Sequence, residues 1–594
     1  MSYRRKKLLA LFCATALSMT AVAGCTGTKS STGNVVSSET ETNAEETSAQ
    51  SEAGTFSSAD MFTERDLAGT YEESGAVYVT LSDDGIAGET DGVVIDGQMV
   101  TITAEGTYIF SGTLSEGQIV VDADNAKVQI VFDNVDITCA SSAAVYVKSA
   151  EKVFVTLAEG SQNTLRNTDE YVAIDDNNID AVIFAKSDLT LNGTGSLTII
   201  SAEGHGIVSK DDLKIIGGTY DITAAGHALS GKDSVRIADG TFILTAEKDG
   251  IHAENADDEE KGYIYIADGD FTITSDGDGM DASNIVQIED GTLDITAGGG
   301  AANSLKTHES DMPGGPGGGM PQNGEKLDGE SMPQMGEKPD GENMPQDTTT
   351  DESGTSTKGI KAGGGMYLNG GTYQIDSADD SIHSNANITI ADGTYTLATG
   401  DDGVHADDAL IVNGGTITVT ESYEGLEGLA VTINDGTIDI TASDDGINTA
   451  GEKMELNGGY IHILAGGDGV DSNGNLTING GEIYIDGPSD NGNSAIDYGD
   501  RSSAYVNGGT LVAIGSSGMA EGMSDSSKQK VLMVKLGEQM EAGNVVLTDS
   551  EGNVIVSYTA LKTYDCVIIS TAEVESGATY TLTTSGTTTE VTAE

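Results

Sequence analysis

Tryptophan is absent from this 594-residue chain, and proline (7), cysteine (4) and basic residues (28 Lys and Arg) are scarce. Each shortage excludes something. Against 96 Asp and Glu, so few cations leave a formal net charge of −68, a field that repels phosphate backbones and excludes a nucleic-acid partner. Metal cations, and anions bridged by them, are the ligands such a field favours. With so little cysteine, a disulfide framework is not what stabilises the chain. Disorder throughout is excluded as well, because 37% of the residues are hydrophobic and they fall in short alternating runs of Ile, Val and Leu. Glycine, 79 residues of it, and aspartate are abundant, and their spacing carries the information.

The N-terminus reads as an export signal. Arg4, Arg5, Lys6 and Lys7 precede an apolar stretch from Leu8 to Ala21 that is too short for a stable bilayer span, so residues 1–24 are expected to be a signal peptide. Val22-Ala23-Gly24-Cys25 resembles the bacterial lipoprotein box, which implies that the Cys25 thiol is lipidated and becomes the first mature residue. The chain is then expected at the extracellular face of the bacterial cell membrane, held by its lipid. Residues 25–60 are Ser, Thr, Glu and Gly with scarcely any large apolar side chain, a composition that makes a flexible tether.

From there a turn of the form Gly-Gly-Thr or Asp-Gly-Thr recurs, its second Gly at Gly218, Gly240, Gly269, Gly291, Gly371, Gly393, Gly415, Gly436, Gly459, Gly481 and Gly509. Apart from three longer gaps the step is about 22 residues. In the unit from Gly415, Thr416–Thr420 alternates polar and apolar, a polar corner follows, and Leu429–Ile433 alternates again. The pattern predicts strands. One aligned column holds Tyr220, Phe242, Phe271, Leu293, Tyr373, Tyr395, Ile417, Ile438, Ile461, Ile483 and Leu511, and a second aliphatic column follows two residues on. Short strands and tight corners stacked on near-copies of themselves predict an all-β chain, a right-handed parallel β-helix with about 22 residues per coil over residues 61–526. A Pro-, Gly- and Met-rich stretch at about 308–358 reads as a disordered insertion. After about Ser526 the repeat stops while alternation continues, so residues 527–594 are expected to form a small C-terminal β cap. Asn369, Asn413, Asn434, Asn457, Asn479 and Asn507 share the position before the Gly corner and read as an internal asparagine ladder.

The polar corners align as two further columns. The first carries Asp249, Asp278, Asp380, Asp402, Glu424, Asp445 and Asp468, with His205 and His227 in earlier coils. Three residues on, the second carries His252, Asp281, His383, His405, Glu427, Asn448, Asp471 and Asp497. Asp-Gly is a common turn pair, so conformation alone is one origin of the first column. Yet carboxylates stacked every 5 Å repel by about 1 kcal/mol per pair in water and about 3 at an effective dielectric of 20. Bound cations would remove that cost, and oxygen donors in irregular geometry favour Ca²⁺. Asp249, Asp278, Asp281, Asp380, Asp402, Asp445, Asp468 and Asp471 are therefore the expected metal ligands.

Phe62-Thr63-Glu64-Arg65-Asp66-Leu67, Ile102–Tyr108, Val145–Ala150 and Ile207–Ile215 resemble a clostridial cell-surface family, the carbohydrate-binding domain-containing proteins. The resemblance covers nearly all of the mature chain. It implies a right-handed β-helix similar to polysaccharide lyases, binding of cellulose and of acidic glycans such as polygalacturonate, and structural Ca²⁺. The chain departs from that pattern at Gly204-His205-Gly206 and Gly226-His227-Ala228, where histidine stands in place of a carboxylate. A polysaccharide-binding protein acting as a monomer, and not an enzyme, is the first reading. A calcium-dependent polysaccharide lyase is the alternative, with Lys210 or Lys232 as the base, and a passive wall spacer is the third. The lack of tryptophan counts against a stacked platform for crystalline cellulose and favours a calcium-bridged acidic glycan.

Overall fold

Thr372–Ser377 places Tyr373, Ile375 and Ser377 inward and Thr372, Gln374 and Asp376 outward, and the same alternation returns in Thr394–Thr399 and Thr437–Ala442. Branched and aromatic residues on the buried side favour extended backbone, and period two sends every second side chain to one interior. The computed structural model describes residues 55–88, 90–306, 356–499 and 501–593. The expected signal segment, Cys25 and most of the expected insertion lie outside them.

A typical coil has three strands. Thr372–Ser377 is followed by a corner, then Ile382–Ser384, a turn, and Ile388–Ile390. Each strand pairs in parallel with its counterpart one coil on: Thr372 with Thr394, Ile382 with Val404, Ile388 with Leu410. In the regular coils the strand after the corner is not visible in the sequence pattern, since three residues are too short to show alternation. Repeated along the chain, this pairing yields one large and mostly parallel sheet coiled on itself. The aligned column becomes a stack inside the coil, from Tyr220 beside Phe242 through Leu293 beside Tyr373 to Ile483 beside Leu511. Its members are at most 2% exposed, each full burial being worth about 1.5–3 kcal/mol. Tyr373 and Tyr395 stack with centroids 4.5 Å apart, and their hydroxyls donate to the carbonyls of Gly370 and Asp392, so these rings are core. The pairing of Leu293 with Tyr373 holds register across the longest gap in the repeat. At the corner glycines a side chain has no room: Gly509 has φ +85°, and a Cβ there would lie 2.6 Å from the Gly481 carbonyl oxygen.

Both ends of the coil are closed. Val77–Leu81 and an antiparallel hairpin, Val93–Asp96 with Met99–Ile102, form the first layer. At the other end Tyr564–Ser570 pairs antiparallel with Thr510–Gly515, covering the last edge, and a separate antiparallel sheet of Gly543–Thr548, Val554–Ala560, Thr579–Thr583 and Thr588–Thr592 packs beside it. Cys139 and Cys566 are free and buried.

A strap runs outside the coils. Phe56 packs on Tyr263, with centroids 4.3 Å apart, and exchanges backbone hydrogen bonds with the Gln287 amide. The strap then descends the coils: the Met61 carbonyl accepts from Arg236, Arg65 lies over Phe154, and the Thr70 carbonyl accepts from Gln129. Thr63 and Asp66 cap the short helix Glu64–Leu67. The Asp66 carboxylate is fully buried, 2.7 Å from Lys152 Nζ and accepting from the Thr190 hydroxyl. Burial pushes its pKa up, but the Lys152 hydrogen bond and charge prevail and hold it at about 2. Phe56, expected in the tether, is therefore docked.

Candidate functional site

The corner after each long strand stacks its first residue directly on the next coil. The N–H of Asp278 donates to Asp249 Oδ1 (2.9 Å), that of Lys358 to Asp278 Oδ1 (2.7 Å), that of Asp402 to Asp380 Oδ1 (3.1 Å), and that of Asp468 to Asp445 Oδ1 (2.6 Å). The two histidines do the same work, because an imidazole Nδ1 sits where a carboxylate oxygen would: His205 accepts from the His227 N–H at 2.8 Å, and His227 from the Asp249 N–H at 3.2 Å. One acceptor atom of each such residue is thus committed to the backbone. The second carboxylate oxygen is left for other partners, and those partners divide the corner into three zones.

In the first zone His205, His227 and His252 stack with centroids 4.8 and 4.1 Å apart, and Asp249 Oδ2 lies 3.0 Å from His227 and 2.9 Å from His252. Burial raises the Asp249 pKa, but the adjacent His227 and His252 imidazoles hold it well below the usual carboxylate range.

The second zone holds three lysines. Lys358 occupies the first column between Asp278 and Asp380, and Lys361 pairs with Asp281 on one side and His383 on the other in the second column. Lys358 Nζ is 2.5 Å from Asp380 and 3.0 Å from Asp379, Lys361 Nζ is 3.5 Å from Asp278 and 3.3 Å from Asp281, and Lys306 reaches Asp379 (2.6 Å) and Asp401. Next to them His405 lies 3.0 Å from Asp402 and 3.1 Å from Glu427. Burial lowers its pKa, but the Asp402 hydrogen bond and nearby carboxylates raise it to about 10, so an imidazolium stands there. Ammonium groups and His405 thus stand beside Asp278, Asp281, Asp380 and Asp402, while Asp380 with His383 and His405, and Asp402 with His405 and Glu427, bring one ligand atom each to within 4.8 Å of one another.

The third zone has no such partner. Asp445, Asp468 and Asp471 bring one oxygen each to within 4.8 Å of one another, and Asp497 pairs beside Asp471 in the next coil. Among the described residues none of these three carboxylates forms an ion pair with Lys, Arg or His. Burial, then the repulsion of neighbouring carboxylates, raises Asp445 to about 8 and Asp471 to about 6. Asp468 is raised by burial to about 7, against a backbone hydrogen bond from Ser494 that lowers it. Three converging carboxylates, an all-oxygen donor set without an ion pair among the described residues, suit a hard divalent ion.

Lys210 and Lys232 are aligned in successive coils but stand past the short strand, away from the two corner columns. Lys210 Nζ lies 5.3 Å from the centroid of the Phe184 ring. Lys232 is 2.6 Å from Asp257, and that hydrogen bond raises its pKa, the opposite of what a proton-abstracting base requires. The asparagine column forms a continuous amide ladder from Asn413 to Asn507, but on the exposed rim of the coils and not inside them.

A family model described as carbohydrate-binding domain-containing protein matches residues 96–403 and 401–550. A protein of that description from Acetivibrio thermocellus is 40% identical over 139 residues, 23% of this chain and 49% of its own length. The chain thus spans about half the length of the curated relative it matches. A solved structure described as the polysaccharide lyase-like protein from C. thermocellum, in a gadolinium derivative, is 36% identical and covers 38% of this chain and 92% of its own, with a TM-score of 0.37.

Proposed function

The chain belongs to the carbohydrate-binding domain-containing protein family, and from that premise we propose that it binds acidic polysaccharide through Ca²⁺ held at its corner carboxylates. The observation that carries the calcium step is the unpaired cluster of Asp445, Asp468 and Asp471. On a chain of net charge −68 a polyuronate meets repulsion everywhere except where a cation lies between the two sets of carboxylates. Ca²⁺ tolerates the irregular oxygen geometry of a corner and keeps coordination positions for a uronate carboxylate. Asp249 with its two histidines offers a weaker place, and Asp278, Asp281, Asp380 and Asp402 serve mainly as partners of lysine and histidine.

On this reading the coil is a right-handed parallel β-helix, the hand that parallel crossovers favour, and it acts as a monomer at the outer face of the bacterial membrane, tethered by a lipid on Cys25. It captures glycan and does not cleave it. The deciding experiment incubates the protein with polygalacturonate in Ca²⁺ or in chelator and follows both retention and the appearance of unsaturated sugar ends. Retention only with Ca²⁺, without unsaturated ends, is expected. Retention unaffected by chelator removes the calcium bridge, and unsaturated ends would make the chain a lyase. Loss of membrane association in Cys25→Ser tests the anchor.

A further inference from the structure

We infer that the exposed rim around Asn457 and Tyr460 is a second glycan-binding track, one that takes an uncharged, extended polysaccharide without calcium. The inference rests on the reading of the chain as a polysaccharide binder, but it uses a different surface. Tyr460–Ala465 separates the rim from the acidic corner, a span of about 20 Å for six extended residues.

The rim is built from amides. Asn434 donates to Asn413 at 2.8 Å, Asn457 to Asn434 at 2.9 Å, Asn479 to Asn457 at 2.8 Å and Asn507 to Asn479 at 2.9 Å. A carboxamide has two N–H donors and two acceptor lone pairs, and the ladder consumes one of each. Asn413, Asn434 and Asn479 are exposed and Asn457 and Asn507 half-buried, so much of the rest is offered to solvent along the rim. Hydroxyl groups, which both donate and accept, answer such a row. A chain of sugar rings running along the coil axis presents them at regular intervals.

Aromatic rings lie alongside. The first outward position of the long strands is Thr372, Thr394, Thr416 and Thr437 in successive coils, and then Tyr460, which is 42% exposed. The coil itself does not call for a ring there. Tyr460 leans on Tyr484 with centroids 5.7 Å apart at 43°, and Tyr484 stacks on Tyr558 at 5.2 Å and 11°. The cluster is held in place by Asp486, 1% exposed, which accepts from the Tyr558 hydroxyl and from the Leu561 N–H. A fixed, half-exposed tyrosine face offers a sugar ring an apolar surface at little entropic cost. The ligand is uncharged because Glu482, paired with Tyr460 in the next coil, would repel a uronate; Asp439, two residues along the preceding coil, is 2.9 Å from His462.

The test is retention of the full chain on amorphous cellulose in chelator, with polygalacturonate in Ca²⁺ measured in parallel. The wild type is expected on the glucan without calcium. Tyr460→Ala should bind it about tenfold more weakly and Tyr460→Phe nearly as well as wild type, with unfolding temperature unchanged within about 2 °C and polygalacturonate binding intact. Asn457→Asp, which removes a donor and adds a charge, should weaken glucan binding too. Full glucan binding by Tyr460→Ala, or glucan binding lost in chelator alone, overturns the track while leaving the calcium reading in place. Glucan retention that falls with Tyr460→Ala, in a chain that never binds polygalacturonate, upholds the track and ends the calcium reading. Retention on neither polymer ends both.

Discussion

The coils of Asp278, Asp380 and Asp402 and the coils of Asp445, Asp468 and Asp471 place carboxylates in the same columns of the same corner, yet their charges are balanced differently. In the first group Lys306, Lys358, Lys361 and His405 stand among the acids. In the second the acids face one another, and burial with mutual repulsion raises Asp445 to about 8. A column of aspartates therefore does not by itself mark a metal site. In the first column one oxygen of each is spent on the backbone of the next coil, and the balance around the second decides whether a cation is wanted.

Removing the lysines should erase the contrast. Lys306→Met with Lys358→Met leaves buried carboxylates without partners and is expected to cost about 3–5 kcal/mol in metal-free chemical unfolding. If the two groups of coils differ only in charge balance, Ca²⁺ should restore a good part of that loss. No calcium effect on the variant would mean that the middle coils differ in geometry as well.

The converse change is smaller. Asp445→Asn with Asp468→Asn keeps an amide oxygen to accept the same backbone N–H but removes two charges, so the metal-free protein should gain about 1–3 kcal/mol at pH 8 and lose its response to Ca²⁺. Isothermal calorimetry that still finds full calcium uptake would move the site elsewhere.

A pH series sharpens the contrast further. Carboxylates whose folded pKa is raised hold protons that the unfolded chain has already released above 3.8, so the contribution of Asp445, Asp468 and Asp471 to metal-free stability should fall as pH rises from about 4 towards 8. Above pH 8 the contribution of these three carboxylates should level off. Ca²⁺, which binds the ionised form, should flatten the slope, and its uptake should release protons into a weakly buffered solution near pH 6. The smallest effect belongs to Lys232→Ala, whose exposed pair with Asp257 should leave the unfolding midpoint and glycan retention unchanged.

The buried columns were legible because alternation and a 22-residue step repeat in adjacent coils. The lysine zone was not, although Lys358-Gly359-Ile360-Lys361 has the form of Asp278-Gly279-Met280-Asp281. It stands at the edge of the Pro/Gly-rich stretch, where the step breaks and a corner looks like the end of a loop. Lys306 comes from the other side of that stretch, and no local pattern joins it to Asp401. The asparagine column was visible as a column, but a turn residue before glycine has no alternation to say whether it faces in or out. Thr63 and Asp66 show a capping box in sequence, whereas the partners of Asp66, Lys152 and Thr190, lie far along the chain.

The strap also decides how a pull on the chain is received. Phe56 is fastened beside Gln287 and Tyr263, well along the coils, and only after descending them does the backbone enter the first layer at Val77. Tension applied upstream of Phe56 reaches the flank of the solenoid before its first coil, where parallel strands would otherwise unzip one hydrogen bond at a time. A pull along the coil axis loads the strap's contacts with Gln287, Arg236, Phe154 and the buried Asp66 pair in shear before it reaches the end layer.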